Sequence, residues 1–236
     1  MDNILLPNAS LFIGIIPALI LLYFSLKGYE GYYKDKTIFL TFIIGIALGF
    51  IAAFIQSYTI ATAILYIVLL AFFDQLFKTI ILNIGRFQEK KETPIYGLSL
   101  GLGFGSSFTP FLLISVSSLL TQDINVLSLI AIGSFGIILF HGATGAFIGF
   151  GVYMGNITRY LITAVILQIP FGFILGLMIS FSNVESIYIL IGFVVVLIIY
   201  GGLIFWYVIK KVLSKILDQS KRRKRSSIKS FKNKKE

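Results

Sequence analysis

The stretch Thr59–Leu82 reads TIATAILYIVLLAFFDQLFKTIIL. It is apolar over a length that crosses a bilayer, which needs ~20 residues. Three polar residues interrupt it: Asp74, Gln75 and Lys78. An Asp or Lys near the middle of a spanning helix costs roughly 2.5–3.5 kcal/mol on insertion scales. Residues that costly usually face the protein interior and serve a purpose there. The fold and the candidate site are therefore read from the same two dozen residues.

Composition extends the membrane reading to the whole chain. Of 236 residues, 57% are hydrophobic and 13% are charged, whereas a soluble domain carries about 25% charged residues. Mean hydropathy is +0.94. The chain has no cysteine, which excludes disulfides, thiolate metal sites and cysteine nucleophiles.

Seven apolar segments are expected as spans: Ala9–Leu26, Thr37–Ile55, Thr59–Leu82, Ile95–Leu120, Asn125–Met154, Thr158–Phe181 and Ser186–Ile209. Backbone polar groups in lipid must satisfy one another, so the segments are read as helices. The alternation of barrel strands is absent. Asn125–Met154 is longer than a straight span requires and is expected to tilt or to carry an interfacial turn near its start. Asp2 precedes the first segment with no Lys or Arg, so Ala9–Leu26 is expected to be a retained helix and not a cleaved signal. The fold class is all-α, a polytopic transmembrane bundle of about seven spans.

Basic residues alternate from loop to loop. Lys27, Lys34 and Lys36 lie in the first loop, Arg86, Lys90 and Lys91 in the third, Arg159 in the fifth. The loops between them hold no Lys or Arg and include Asp123 and Glu185. The positive-inside rule then places the N-terminus outside and the C-terminus in the cytoplasm of a multi-pass cell-membrane protein. Residues 1–209 form the helical domain and 210–236 a basic tail, expected to be disordered. That tail holds twelve Lys and Arg residues, including KRRKR at Lys221–Arg225. It is a topogenic signal, with binding to anionic inner-leaflet lipid as a sharper reading. Phe231 is its one aromatic, so specific nucleic-acid recognition is not expected.

Asp74 precedes Lys78 by four residues, the favourable orientation for an ion pair along one helix. Mutual neutralisation is the simplest reading of the two, and Lys78 could also snorkel. His141, the single histidine, lies in FHGATGAFIGFG, followed by Gly145 and Gly149. Gly97, Gly101 and Gly105 form a matching stripe in YGLSLGLGFGSSF. Small residues at this spacing let helices approach closely. At 1.5 Å rise per residue, Asp74, Phe104 and His141 lie ~13, ~13 and ~20 Å from the basic ends of their spans. They share one slab of the bilayer.

The order of DQLFK at Asp74–Lys78, YGLSLGLGF at Tyr96–Phe104, FGSSF at Phe104–Phe108 and HGATG at His141–Gly145 resembles the PrsW-type intramembrane proteases. These belong to the CAAX-prenyl-protease-like superfamily. Their pattern is EExxK, then FxxxE after a glycine-rich stretch, then a histidine followed by small residues. The resemblance implies a helical protease scaffold and a site of Asp74, Lys78 and His141. It also shows what is changed: Gln75 and Phe108 stand where the pattern has glutamates. Hydrolysis needs a water activated by a carboxylate base or a metal. Asp74 and His141 supply two ligands where a metal site usually takes three, so neither metal nor cofactor is expected.

The resemblance thus points to a catalytically degenerate scaffold that binds a membrane protein or a lipid. An active peptidase using Asp74 and His141 is an open alternative. A small-solute transporter or channel is another, although no internal repeat supports it.

Overall fold

The computed structural model describes residues 5–58, 64–117, 124–180 and 187–216. Among these residues the chain is all-α, with seven long helices: α1 (Leu5–Leu26), α2 (Asp35–Tyr58), α3 (Ile64–Leu82), α4 (Thr93–Ser117), α5 (Ile124–Tyr153), α6 (Ile157–Ser180) and α7 (Ile187–Val208). Five stretches are long and apolar enough to cross a membrane: Asp35–Gln56, Leu65–Leu82, Ala131–Tyr153, Ile157–Met178 and Ile187–Ile216. A shorter apolar stretch is Leu11–Leu26. Large apolar side chains cover the outer surface on α1, α2, α3, α6 and α7, among them Phe12, Phe39, Leu65, Ile166 and Leu203. That is the distribution expected where the solvent is hydrocarbon. The chain is a helical membrane protein.

Helix ends follow local chemistry. Asp35 sits in the first turn of α2, where a negative charge complements the helix dipole. Past the end of α5, Gly155 adopts a φ of 69°. This lets its amide and that of Asn156 turn back onto the carbonyls of Val152 and Gly151, at 3.2 and 2.9 Å. That left-handed closure satisfies carbonyls the helix leaves open.

The two glycine-rich helices are the centre of the molecule. α4 packs against α1, α2 and α5, and α5 packs in turn against α6 and α7. Residues 93–108 of α4 are buried throughout. The stripes anticipated on α4 and α5 interlock. A methyl group added at Gly101 would stand 2.0 Å from the carbonyl oxygen of His141, and one at Gly97 would stand 2.2 Å from that of Gly145. On the other side of α4, a methyl at Gly45 of α2 would stand 2.1 Å from the Leu100 carbonyl oxygen. These backbones touch because no side chain lies between them.

α3 is attached differently. Its buried residues are Ala71, Asp74, Gln75, Lys78, Thr79 and Leu82. The spacing is helical, and four of the six are polar. Residues 65–70, by contrast, include no buried residue. The helix leans chiefly on α6 and touches α2, α4 and α5 lightly. α3 is an inverted amphipathic helix: polar stripe inward, apolar face outward.

Two boundaries differ from the sequence reading. Residues 124–153 form one continuous helix, without the interfacial turn considered near its start. The helix of α7 also runs on beyond residue 209 through a π-helical turn at Ile209–Leu213 to Ile216. The first part of the expected tail is therefore helical. Val212, Leu213 and Ile216 are buried in the core. Lys210 lies over the ring of Trp206 at 4.6 Å, and Lys215 over that of Phe150 at 5.5 Å. Long stems pack while ammonium groups stay at the rim. The remainder of the tail, 217–236, lies outside the described residues.

Candidate functional site

The inward stripe of α3 places three polar side chains where the other helices can reach them. Lys78, on the same face as Gln75, points across to α5. Its Nζ lies 3.1 Å from Gln75 Oε1, 2.9 Å from Thr144 Oγ1 and 3.0 Å from His141 Nδ1. An ammonium has three N–H donors, and these three acceptors take all of them. The Phe104 ring completes the enclosure, with its centroid 4.9 Å from Nζ. The charge is fully buried yet fully hydrogen-bonded, the condition under which a buried ion is tolerated.

His141 is held by this arrangement. With Lys78 as the ammonium, Nδ1 accepts from it and the imidazole proton belongs on Nε2. Phe108 stacks on the ring at 5.3 Å with an 18° interplanar angle, and Phe104 lies 4.8 Å away. The close seat of Gly101 against the His141 backbone brings these aromatic rings onto it. Among the described residues no hydrogen-bond partner faces Nε2.

Asp74 makes different contacts. Its Oδ2 accepts from Gln168 Nε2 on α6 and from Gln56 Nε2 on α2, the latter at 3.2 Å. Among the described residues no donor reaches Oδ1. Gln75 Nε2 in turn donates to Gln168 Oε1. The amides are thus aligned in one direction. Lys78 donates to Gln75, Gln75 to Gln168, and Gln168 to Asp74. An ammonium and a carboxylate are joined end to end through two amide dipoles, each polarising the next.

The sequence reading placed Asp74, Phe104 and His141 in one slab, and the structure brings Phe104 against the His141 ring and Lys78 into direct contact with it. It replaces the direct contact expected within α3: among the described residues Asp74 and Lys78 share no hydrogen bond, Lys78 reaches across to α5, and the two opposite charges act on each other through space. Nor is there a direct bond between Asp74 and His141. Gln56, Thr144 and Gln168 were not singled out beforehand. Gln168 carries a signal that could have found it: a lone amide in the apolar run LITAVILQIP.

No three of His, Cys, Asp or Glu stand close enough to hold a metal among the described residues. The donors nearest the two candidate ligands are amides and an ammonium.

Fold and site together define a multi-pass helical membrane protein with a buried polar network at its centre. In comparisons with protein-family models, curated proteins and solved structures, the chain matches none.

Proposed function

We propose that the chain is a catalytically degenerate scaffold of the PrsW-like type, which acts by binding another membrane protein or a lipid and not by hydrolysis. The observation that carries this reading is the placement of the Lys78 amine on Nδ1 of His141. A general base must offer its lone pair to a water or a substrate. Here the lone pair of His141 is already taken by an ammonium, and Phe108 covers the ring. The Asp74 carboxylate is engaged by two amides on Oδ2.

The resemblance itself gains some support. Gln75, Lys78, Phe104, Phe108 and His141 come from three separate motifs, and they converge on one cluster. Two of these positions carry an amide and a phenyl ring where the pattern has glutamates. The same side chains that lose acid–base chemistry gain a structural role.

In the proposed setting all seven helices cross the cell membrane, with the N-terminus outside and the basic tail in the cytoplasm against anionic lipid. The first and third of the basic loops supporting this orientation meet at one end of the bundle. The amide of Lys34 donates to the Tyr96 hydroxyl at 3.1 Å, and Lys91 lies over Tyr32 at 5.6 Å.

The test is a cleavage assay with the purified protein in nanodiscs and a panel of labelled single-span peptides. No cleavage is expected. Cleavage by the unaltered protein that disappears in both Asp74→Ala and His141→Ala would overturn the proposal and establish a peptidase built on those two residues.

A further inference from the structure

We infer that the end of α7 and its helical extension bind the headgroup of an anionic phospholipid through Lys210, Lys211 and Lys215, beside Trp206 and Tyr207. This goes beyond the lipid contact proposed above for the basic tail. It assigns binding to a different set of residues, with fixed places in the fold.

Depth and direction are the first observation. Leu203, Trp206, Tyr207 and Lys210 recur at helical spacing and are all exposed, so they share one outer face. Tryptophan and tyrosine at the end of a span sit at headgroup level. Along this face the surface passes from apolar to aromatic to cationic. A phospholipid presents acyl chain, glycerol ester and phosphate in the same order. Helical side chains tilt toward the N-terminus, so a lysine past the end of a span reaches back toward the membrane. Lys210 does so, with its Nζ 4.6 Å from the Trp206 ring centroid one turn earlier.

The lysines are also held in place. Val212, Leu213 and Ile216 are buried in one cluster with Leu26, Ile95 and Phe150, so the backbone that carries the lysines is anchored. Lys210 and Lys215 are five residues apart, about 140° around an α-helix. The π turn at Ile209–Leu213, with its i→i+5 bonds, lies between them and stacks such residues more nearly one above the other. Among the described residues no carboxylate pairs with any of the three, and the sequence from Ser186 to Leu217 has no Asp or Glu. The other basic loops at this end differ: Glu30 and Asp35 lie among the lysines of the first, Glu89 and Glu92 among those of the third. Cations brought together without a carboxylate repel one another until an anion stands between them. A soluble acidic partner would meet the lysines and leave Leu203 and Trp206 unused. An anionic phospholipid engages the whole face.

Trp206 is the single tryptophan of the chain, so its fluorescence reports on this site alone. The experiment places the full chain in nanodiscs of mixed phosphatidylcholine and phosphatidylglycerol. In one preparation the phosphatidylglycerol carries brominated chains, and in the other the phosphatidylcholine does, at the same mole fraction. Brominated phosphatidylglycerol is expected to quench Trp206 about two- to fivefold more strongly, the upper figure being what one basic residue near an anionic surface contributes. Gln at Lys210, Lys211 and Lys215 together should erase the preference while circular dichroism stays helical. Lys210→Gln alone should lower it, which keeps the test open if the triple variant unfolds. Gln at every Lys and Arg from Lys221 to Lys235 should leave it in place. Equal quenching by the two lipids, or a preference that survives the triple variant, overturns the inference. So does a preference lost in the tail variant, which would leave the tail as the lipid-binding element; the two lipid contacts are thereby told apart. Relief of the quenching by a soluble acidic peptide would overturn it in favour of a protein partner. None of these outcomes depends on whether the protein hydrolyses peptides, which the cleavage assay decides.

Discussion

Gln168→Leu removes the link on which the amide chain turns. The side chain is replaced by one of similar size, so little of the effect comes from packing. Two hydrogen bonds are lost: one donated to Asp74 Oδ2 and one accepted from Gln75 Nε2. In a water-soluble core, two orphaned groups would cost about 2–6 kcal/mol together. In a bilayer the unfolded helices remain inserted and find other partners, and single interhelical bonds average about 0.6 and reach about 1.7 kcal/mol. The membrane value governs here, giving roughly 1–3 kcal/mol for the pair. The bond to the carboxylate should lie toward the upper end, since charge strengthens it. Equilibrium unfolding in bicelles, read by steric trapping, measures this loss. Repeating the substitution in an Asp74→Leu background should reduce the cost by roughly half, because only the Gln75 bond is then at stake. A loss below about 0.5 kcal/mol in the first variant, or an undiminished loss in the second, would refute a chain running through Gln168.

Three further outcomes are expected. Gly101→Ala sets a methyl group 2.0 Å from the His141 carbonyl oxygen and forces α4 and α5 apart; it should cost roughly 1–3 kcal/mol by the same unfolding assay, whereas alanine at Gly202, which meets nothing within 4 Å, should not. Lys78→Met strips the donor from three acceptors and leaves Asp74 as an uncompensated buried carboxylate, a change that costs about 3–5 kcal/mol in comparable buried pairs; adding Asp74→Asn should recover at least about 1 kcal/mol, and a double variant no more stable than Lys78→Met would deny the coupling. Ser230→Cys should react with an impermeant maleimide only from the cytoplasmic face, and labelling from outside intact cells would reverse the proposed orientation.

Helix count and placement were legible because the length of apolar runs is fixed by membrane thickness, and that signal is strong in α2, α3, α6 and α7. The glycine stripes of α4 and α5 were legible for a related reason: close packing in lipid depends on small residues. The extension of α7 was not. Lys210, Lys211 and Lys215 look like the start of a solvated tail, and only the three-dimensional packing reveals that Val212, Leu213 and Ile216 form a buried stripe. At the site, the polar residues of α3 were evident from their cost. Their partners were not, because an i,i+4 pair is the nearest arrangement on one helix but gives way when another helix offers better acceptors. Lys78 is long enough to reach His141 and Thr144 on α5, while Asp74 is short and meets the amides that approach it. Gln56 was hidden by its position near a helix end, where a polar residue usually signifies the membrane interface.

The most direct test of the occupied imidazole uses the fact that His141 is the single histidine of the chain. Histidine labelled with nitrogen-15 in nanodiscs at neutral pH gives one imidazole, free of overlap. The account predicts a proton on Nε2, an unprotonated hydrogen-bonded Nδ1, and an Nδ1 resonance that moves toward a free lone pair in Lys78→Met. A proton on Nδ1, or an Nδ1 resonance unchanged by Lys78→Met, would contradict it and return His141 to the set of available bases.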